Sequence, residues 1–405
     1  MSLDTINTDL VETFEQSRPC AVDVQPALDV IPGMTPRTIL HAGPPISWEQ
    51  MCGPMRGAVA GALVYEGLVR TLDEADALAG SGAIRFESAH DHDAVGPMAG
   101  IISPRMPVWI FEDEASGLRG FANLNEGSQN ALRYGANGPA VIERLNWMET
   151  VLAPVLRAVL VRSGPLDVLA LVANALLMGD ECHSRNAALN RLLLQWLTPA
   201  VLDLPINGST ARSVYAFISE RDYFSLNLTM GACKTAWMGV ERTGRGSVVT
   251  AISRNGVDVG IRVSGAPGQW WTAPAPAVTV HTLPGFTAED ANRDIGDSAI
   301  TETSGLGGMA GAAAPAVCGF VGGTPALFRD IQLSMYAITV GESRRFRVPS
   351  LDFRGTPTGI DVHRVVAHNH TPVLTTGVAH KLAGVGMVGA GYVQMPLAMF
   401  AEAAL

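Results

Sequence analysis

The polar residues of this 405-residue chain are gathered into short glycine-bounded blocks, and that gathering limits what it can fold into. Only 16% of its residues are charged, and many of those fall in ten runs. They read HAGPP (41–45), CGPMRGA (52–58), HDHDAVGPMAG (90–100), NLNEG (123–127), LRYGA (132–136), MGDECHSRN (178–186), SRNGVDVGIRVSG (253–265), GDSAITETSGLGG (296–308), LDFRGTPTGID (351–361) and GVAHKLAGVG (377–386). Each sets Arg, His, Asp, Glu or Asn beside glycine, whose missing Cβ lets a backbone approach a bound group and aim N–H donors at it. A purely structural protein has little use for such blocks. An enzyme that handles small anions does.

An apolar fraction of 47% excludes disorder, and the length allows two or three domains, each with its own core. A net charge of −10 without a basic stripe argues against a nucleic-acid or anionic-membrane partner. Five scattered cysteines without CxxC spacing suggest a reducing compartment and no zinc site. The polar, acidic N-terminus is no signal peptide, so the expectation is a cytoplasmic protein. The uncharged run 304–328 is rich in Gly and Ala and broken by Pro315. It lacks the ~20 strongly apolar residues of a spanning helix and reads as a tightly packed internal helix beside a Gly-rich loop.

Three regions follow. Residues 1–140 mix short strands (84–88, 107–111) with glycine turns; residues 141–204 carry apolar residues at helical spacing, punctuated at Gly164 and Gly179; and residues 205–405 alternate strand signals with Gly/Ala helices. The pattern predicts an α+β, multidomain chain: two mixed α/β domains with a small helical domain between them. No GxGxxG sits between a strand and a helix, so dinucleotide binding is not indicated.

Seven longer stretches, among them HDHDAVGPMAGIIS, LNEGSQNALRYGA, ALLMGDECHSRNAA and GDSAITETSGLGG, resemble the YlbE-like family, which includes the AllG-type subunit of oxamate carbamoyltransferase. The likeness runs from about residue 31 to the C-terminus. It implies a multidomain α+β fold and an enzyme that moves a carbamoyl group between carbamoyl phosphate and oxamate, with oxalurate as the other partner, in purine-ureide breakdown. It also implies partner chains, an FdrA-like subunit and a third small subunit. A homo-oligomer is left open.

Carbamoyl transfer needs Arg forks and backbone N–H groups for phosphate and carboxylate, a polarised carbonyl and an unprotonated acceptor amine. His90 is a candidate for carbonyl polarisation. In MGDECHSRN, Asp180 and His183 stand three apart on an expected helix start, giving a carboxylate-oriented general base, with Arg185 as an anion fork and Asn186 a further contact. Arg254 and Asn255 suit an anion-binding turn, and Arg262 a strand beside it. Asp297 and Thr301 precede a Gly-rich helix entry able to cradle an anion. Arg354 and Thr356 lie in a loop of phosphate-binding character. At least two of Arg185, Arg254, Arg262 and Arg354 should converge on one pocket. Arg56 and Arg133 complete the basic inventory.

No cofactor is expected, although Asp297 and Glu302 offer oxygens for a divalent cation. Two other classes compete with the transferase. A metal-dependent amidohydrolase would use His90, His92, Asp180, His183 and Asp297, whose spacing is not that of a standard ligand set. A non-catalytic scaffold would use the acidic, glycine-rich surface as interface.

Overall fold

The computed structural model describes residues 2–405 and shows a mixed α and β chain with five sheets among those residues. The largest sheet orders its strands Ala94–Val95, Arg119–Asn123, Pro107–Asp113, Pro19–Pro26 and Leu166–Asp167. A four-stranded sheet holds Trp271–Pro274, Asp258–Val263, Val249–Asn255 and Ile295–Gly296. Smaller sheets join Thr279–Thr282, Met387–Gln394 and Val373–Ala379; Thr339–Val348 with Arg354–Ile360; and Thr38–His41, in parallel, with Arg85–Ser88.

The helix Leu226–Glu241 runs through the middle. Every residue of it but Gly239 is buried, so it lacks the polar face of a surface helix. It packs on the largest sheet and on the helices Leu3–Gln16 and Val168–Leu177. Close approach to the sheet is possible because Gly231 has no side chain: a Cβ there would lie 2.0 Å from the Phe111 ring. Helical residues between 141 and 204, such as Val141, Leu156, Val172, Leu189 and Val201, share one core with Leu10, Trp109, Trp237 and Ala390. A strand from that stretch, Leu166–Asp167, pairs with Pro19–Pro26.

Two local expectations need correction. The run 304–328 is not one helix but short 3₁₀ turns (Gly307–Ala313, Pro315–Val317) and the brief helix Cys318–Val321, with non-helical backbone at Ala310 and Ala314. Nor does Gly179-Asp180 open a helix. Val168–Leu177 ends, Gly179 and Cys182 take left-handed φ of 97° and 60°, and the next helix begins at Ala187. The residues between form a buried polar loop. No helix among the described residues is long and apolar enough to cross a membrane.

Candidate active site

The loop 180–186 is pinned by its own carboxylates. Asp180 Oδ2 accepts the Leu189 N–H at 2.9 Å, so it caps the helix that follows. Glu181 accepts the backbone N–H groups of His183 and Arg185, each at 2.7 Å. This fixes His183 against a carboxylate 119 residues away: its Nδ1 lies 2.8 Å from Glu302 Oε1. Glu302 also accepts N–H bonds from Gly308 and Thr375, both at 3.1 Å, and the Thr301 hydroxyl at 3.0 Å. Burial works against its charge, but His183 and those donors outweigh burial and hold the carboxyl below the ordinary range. Burial and the neighbouring Glu302 charge push Glu181 well above it. With Glu302 ionised, the His183 proton belongs on Nδ1, leaving Nε2 as a basic lone pair.

His183 lines a tight chamber of about 10 Å³, room for about one water, where five of the polar blocks meet: Pro97 and Met98, Arg133 and Tyr134, His183 and Ser184, Ser298, and Gly377. Gly377 is required there, since a Cβ would stand 2.5 Å from the Tyr134 hydroxyl. A second, more open hollow of about 190 Å³ is lined by Arg185, Asn186 and Asp222 and shares Ser184, Tyr223 and Phe320 with the chamber.

Arg133 gives the chamber its charge. It is 5% exposed, and no carboxylate among the described residues forms an ion pair with its guanidinium. Nε donates to Gly127 O at 2.6 Å and Nη2 to Tyr134 Oη at 3.4 Å, while the Tyr134 and Tyr223 rings lie 4.6 and 5.4 Å from its central carbon. Nearby Glu126 is engaged instead by the Arg133 N–H and by Arg144. A buried cation without a counter-charge is costly, at several kcal/mol, and an anion would offset that cost.

A family model described as "Oxamate carbamoyltransferase subunit AllG" matches residues 84–298. The Escherichia coli K12 protein named oxamate carbamoyltransferase subunit AllG is 43% identical over 407 residues, spanning 99% of this chain and 97% of its own. This chain belongs to the AllG family. A second E. coli K12 relative, "Uncharacterized protein YahG", is 47% identical over 98% of this chain and 84% of its own. A crystal structure of a conserved Enterococcus faecalis V583 protein of unknown function superposes with a TM-score of 0.97, at 46% identity, over 99% of this chain and 96% of that one.

Not every block serves the AllG-family chamber. The four arginines expected to converge are dispersed. Arg185 lines the second hollow, its Nε 3.1 Å from Gly179 O and 3.4 Å from Asp180 Oδ1. Arg254 is fully buried and saturated by Asp294, Gly296 O and Thr376. Arg262 pairs with Asp91 and Glu241 in a separate cavity. Arg354 is on the surface with Glu342, over the Tyr336 ring. Asn255 spends its oxygen on Val257 N and Asp258 N, closing a turn. Thr356 is buried with an unpartnered hydroxyl beside Gly305.

His90 lines the Arg262 cavity rather than the chamber. Its Nε2 is 3.6 Å from Asp297, and burial, followed by Lys234 and Arg262, pushes its pKa well down, so the ring is neutral. Asp297 accepts from Gly43 N, Gly96 N and Ser253, tying three blocks together. His92 faces Glu87 and Pro32 O. The described residues contain no group of three or more His, Cys, Asp and Glu placed to hold a metal ion. Asp180, expected to orient His183, caps a helix instead, and Glu302 does the orienting. Asn186 donates to His183 O, bracing the loop from within. Arg133 and Tyr223 gain a role that the sequence reading did not give them. The available signal was an Arg inside the apolar, glycine-bounded LRYGA, next to an aromatic ring able to stack on it.

Proposed function

We propose that this chain is a subunit of a carbamoyltransferase that moves a carbamoyl group between carbamoyl phosphate and oxamate, acting with FdrA-like and small partner chains. The observation that carries the reading is the unpaired, buried Arg133 guanidinium in the same chamber as the His183–Glu302 pair. Arg133 holds a substrate anion in a low-dielectric site. The acceptor nitrogen attacks the carbamoyl carbon, the carbon–oxygen bond to phosphate breaks, and phosphate departs with the electron pair. His183 Nε2 takes the proton lost by the nitrogen, and Glu302 steadies the resulting imidazolium. The similarity to the E. coli AllG subunit and to the family model of that description supports the reaction class. No cofactor is assigned, and the cytoplasm is the setting proposed.

The test is phosphate release from carbamoyl phosphate and oxamate by the chain assembled with its partner subunits. His183→Ala should lower turnover at least 100-fold, the low end for loss of a general base. Unchanged turnover per folded molecule would remove the chamber from the chemistry.

A further inference from the structure

We infer that Phe320 is the gate to His183: its ring closes the chamber, and its outward swing joins the chamber to the neighbouring hollow and lets substrate reach the imidazole. This rests on the carbamoyltransferase reading and adds the residue that sets access to the site. With the gate shut, the chamber of about 10 Å³ has room for about one water, so no substrate enters it. The hollow of about 190 Å³ on the other side has space for a small planar acid amide. Ser184, Tyr223 and Phe320 are common to both linings and form the partition. Two of them are tied together, the Tyr223 hydroxyl donating to Ser184 O at 2.8 Å. Phe320 has no polar anchor on its side chain, and its ring rests on Tyr223 with the centroids 5.7 Å apart. Of the three, it is the one free to leave.

The backbone that carries Phe320 suits such a movement. It lies in the single helical turn Cys318–Val321, which follows the 3₁₀ turn Pro315–Val317. Ala314, before these turns, is non-helical, while Gly322 and Gly323, after them, take left-handed φ of 77° and 80°. Two successive glycines give a hinge that absorbs changes in φ and ψ at little steric cost. Buried Val317 and Val321 keep the segment seated on the core, whereas Pro315, Ala316 and Gly319 are exposed. One side chain from the strand Thr279–Thr282 reaches over, His281 Nδ1 lying 3.2 Å from Phe320 O. A short, partly exposed turn held this way opens more readily than the core beneath it.

The reactivity of His183 toward diethyl pyrocarbonate tests this in the full-length chain, with peptide mass spectrometry reading each histidine and exposed His368 as internal reference. With Phe320 in place, His183 should be carbethoxylated far more slowly than His368. Phe320→Ala should speed His183 roughly tenfold or more and leave His368 unchanged; Phe320→Leu should do so by less, and Phe320→Tyr should keep the slow rate. If the alanine variant does not fold, as judged by Tm and circular dichroism, the leucine and tyrosine variants decide. A His183 rate that ignores the size of residue 320, or that matches His368 in the unaltered chain, overturns the gate. Turnover of the assembled complex is a separate readout. A working transferase with ungated His183 sinks only this inference, and an inactive complex whose His183 still answers to residue 320 sinks only the reaction.

Discussion

Asp297 shows what a buried carboxyl does to a stability profile. Burial pushes it up to about 6 from an ordinary 3.8, against the pull of Ser253, Gly96, Gly43 and Arg254. Between those values the folded chain holds a proton that the unfolded chain has lost. The contribution is thus complete below about pH 4 and fades as pH rises through 6, amounting to roughly 3 kcal/mol. Urea unfolding at stepped pH should show this decline, and Asp297→Asn should flatten it; an unaltered slope would place the titrating group elsewhere. Arg185→Lys tests a different residue property. Lysine keeps the charge but not the planar fork, so turnover should fall at least tenfold, ~1.4 kcal/mol, with Tm little changed. Loss of Tm with intact specific activity would make Arg185 a brace for Asp180 only.

Among the elements, Leu226–Glu241 makes the sharpest prediction. Gly→Ala inside a helix ordinarily gains up to about 1 kcal/mol. At Gly231 the new methyl would meet Phe111, itself fully buried, so the outcome reverses and Gly231→Ala should lower stability by about 1–3 kcal/mol by chemical denaturation. A neutral or stabilising result would mean the sheet can shift. Periodicity made the helices near 141–204 and the strands Pro107–Asp113 and Val249–Asn255 legible. The density of polar residues beside glycine singled out MGDECHSRN as a candidate site, but the expected helix start was the wrong backbone. The reason is physical: charges three and four apart suggest pairing along a helix face, whereas Asp180 is satisfied nine residues on and His183 119 residues on. Such distant partners leave no local trace. Arg133 was hidden for the converse reason, since a missing counter-ion can be read only in three dimensions.

At the scale of the whole molecule, the largest core, running from Leu10 to Ala390, takes in apolar residues of the stretch 141–204. Expressed alone that stretch should give little helical circular dichroism, because its apolar faces lose Phe217, Phe224 and Trp237; a cooperatively melting fragment would mean an independent helical domain. The pairing of His183 with Glu302 carries a consequence of its own. The two side chains come from segments 119 residues apart, so they stand together only in the completed fold. Loosening either segment should abolish turnover before the main core melts, and activity should be lost at lower urea than the far-ultraviolet signal. Coincident transitions would mean that site and core open as one unit.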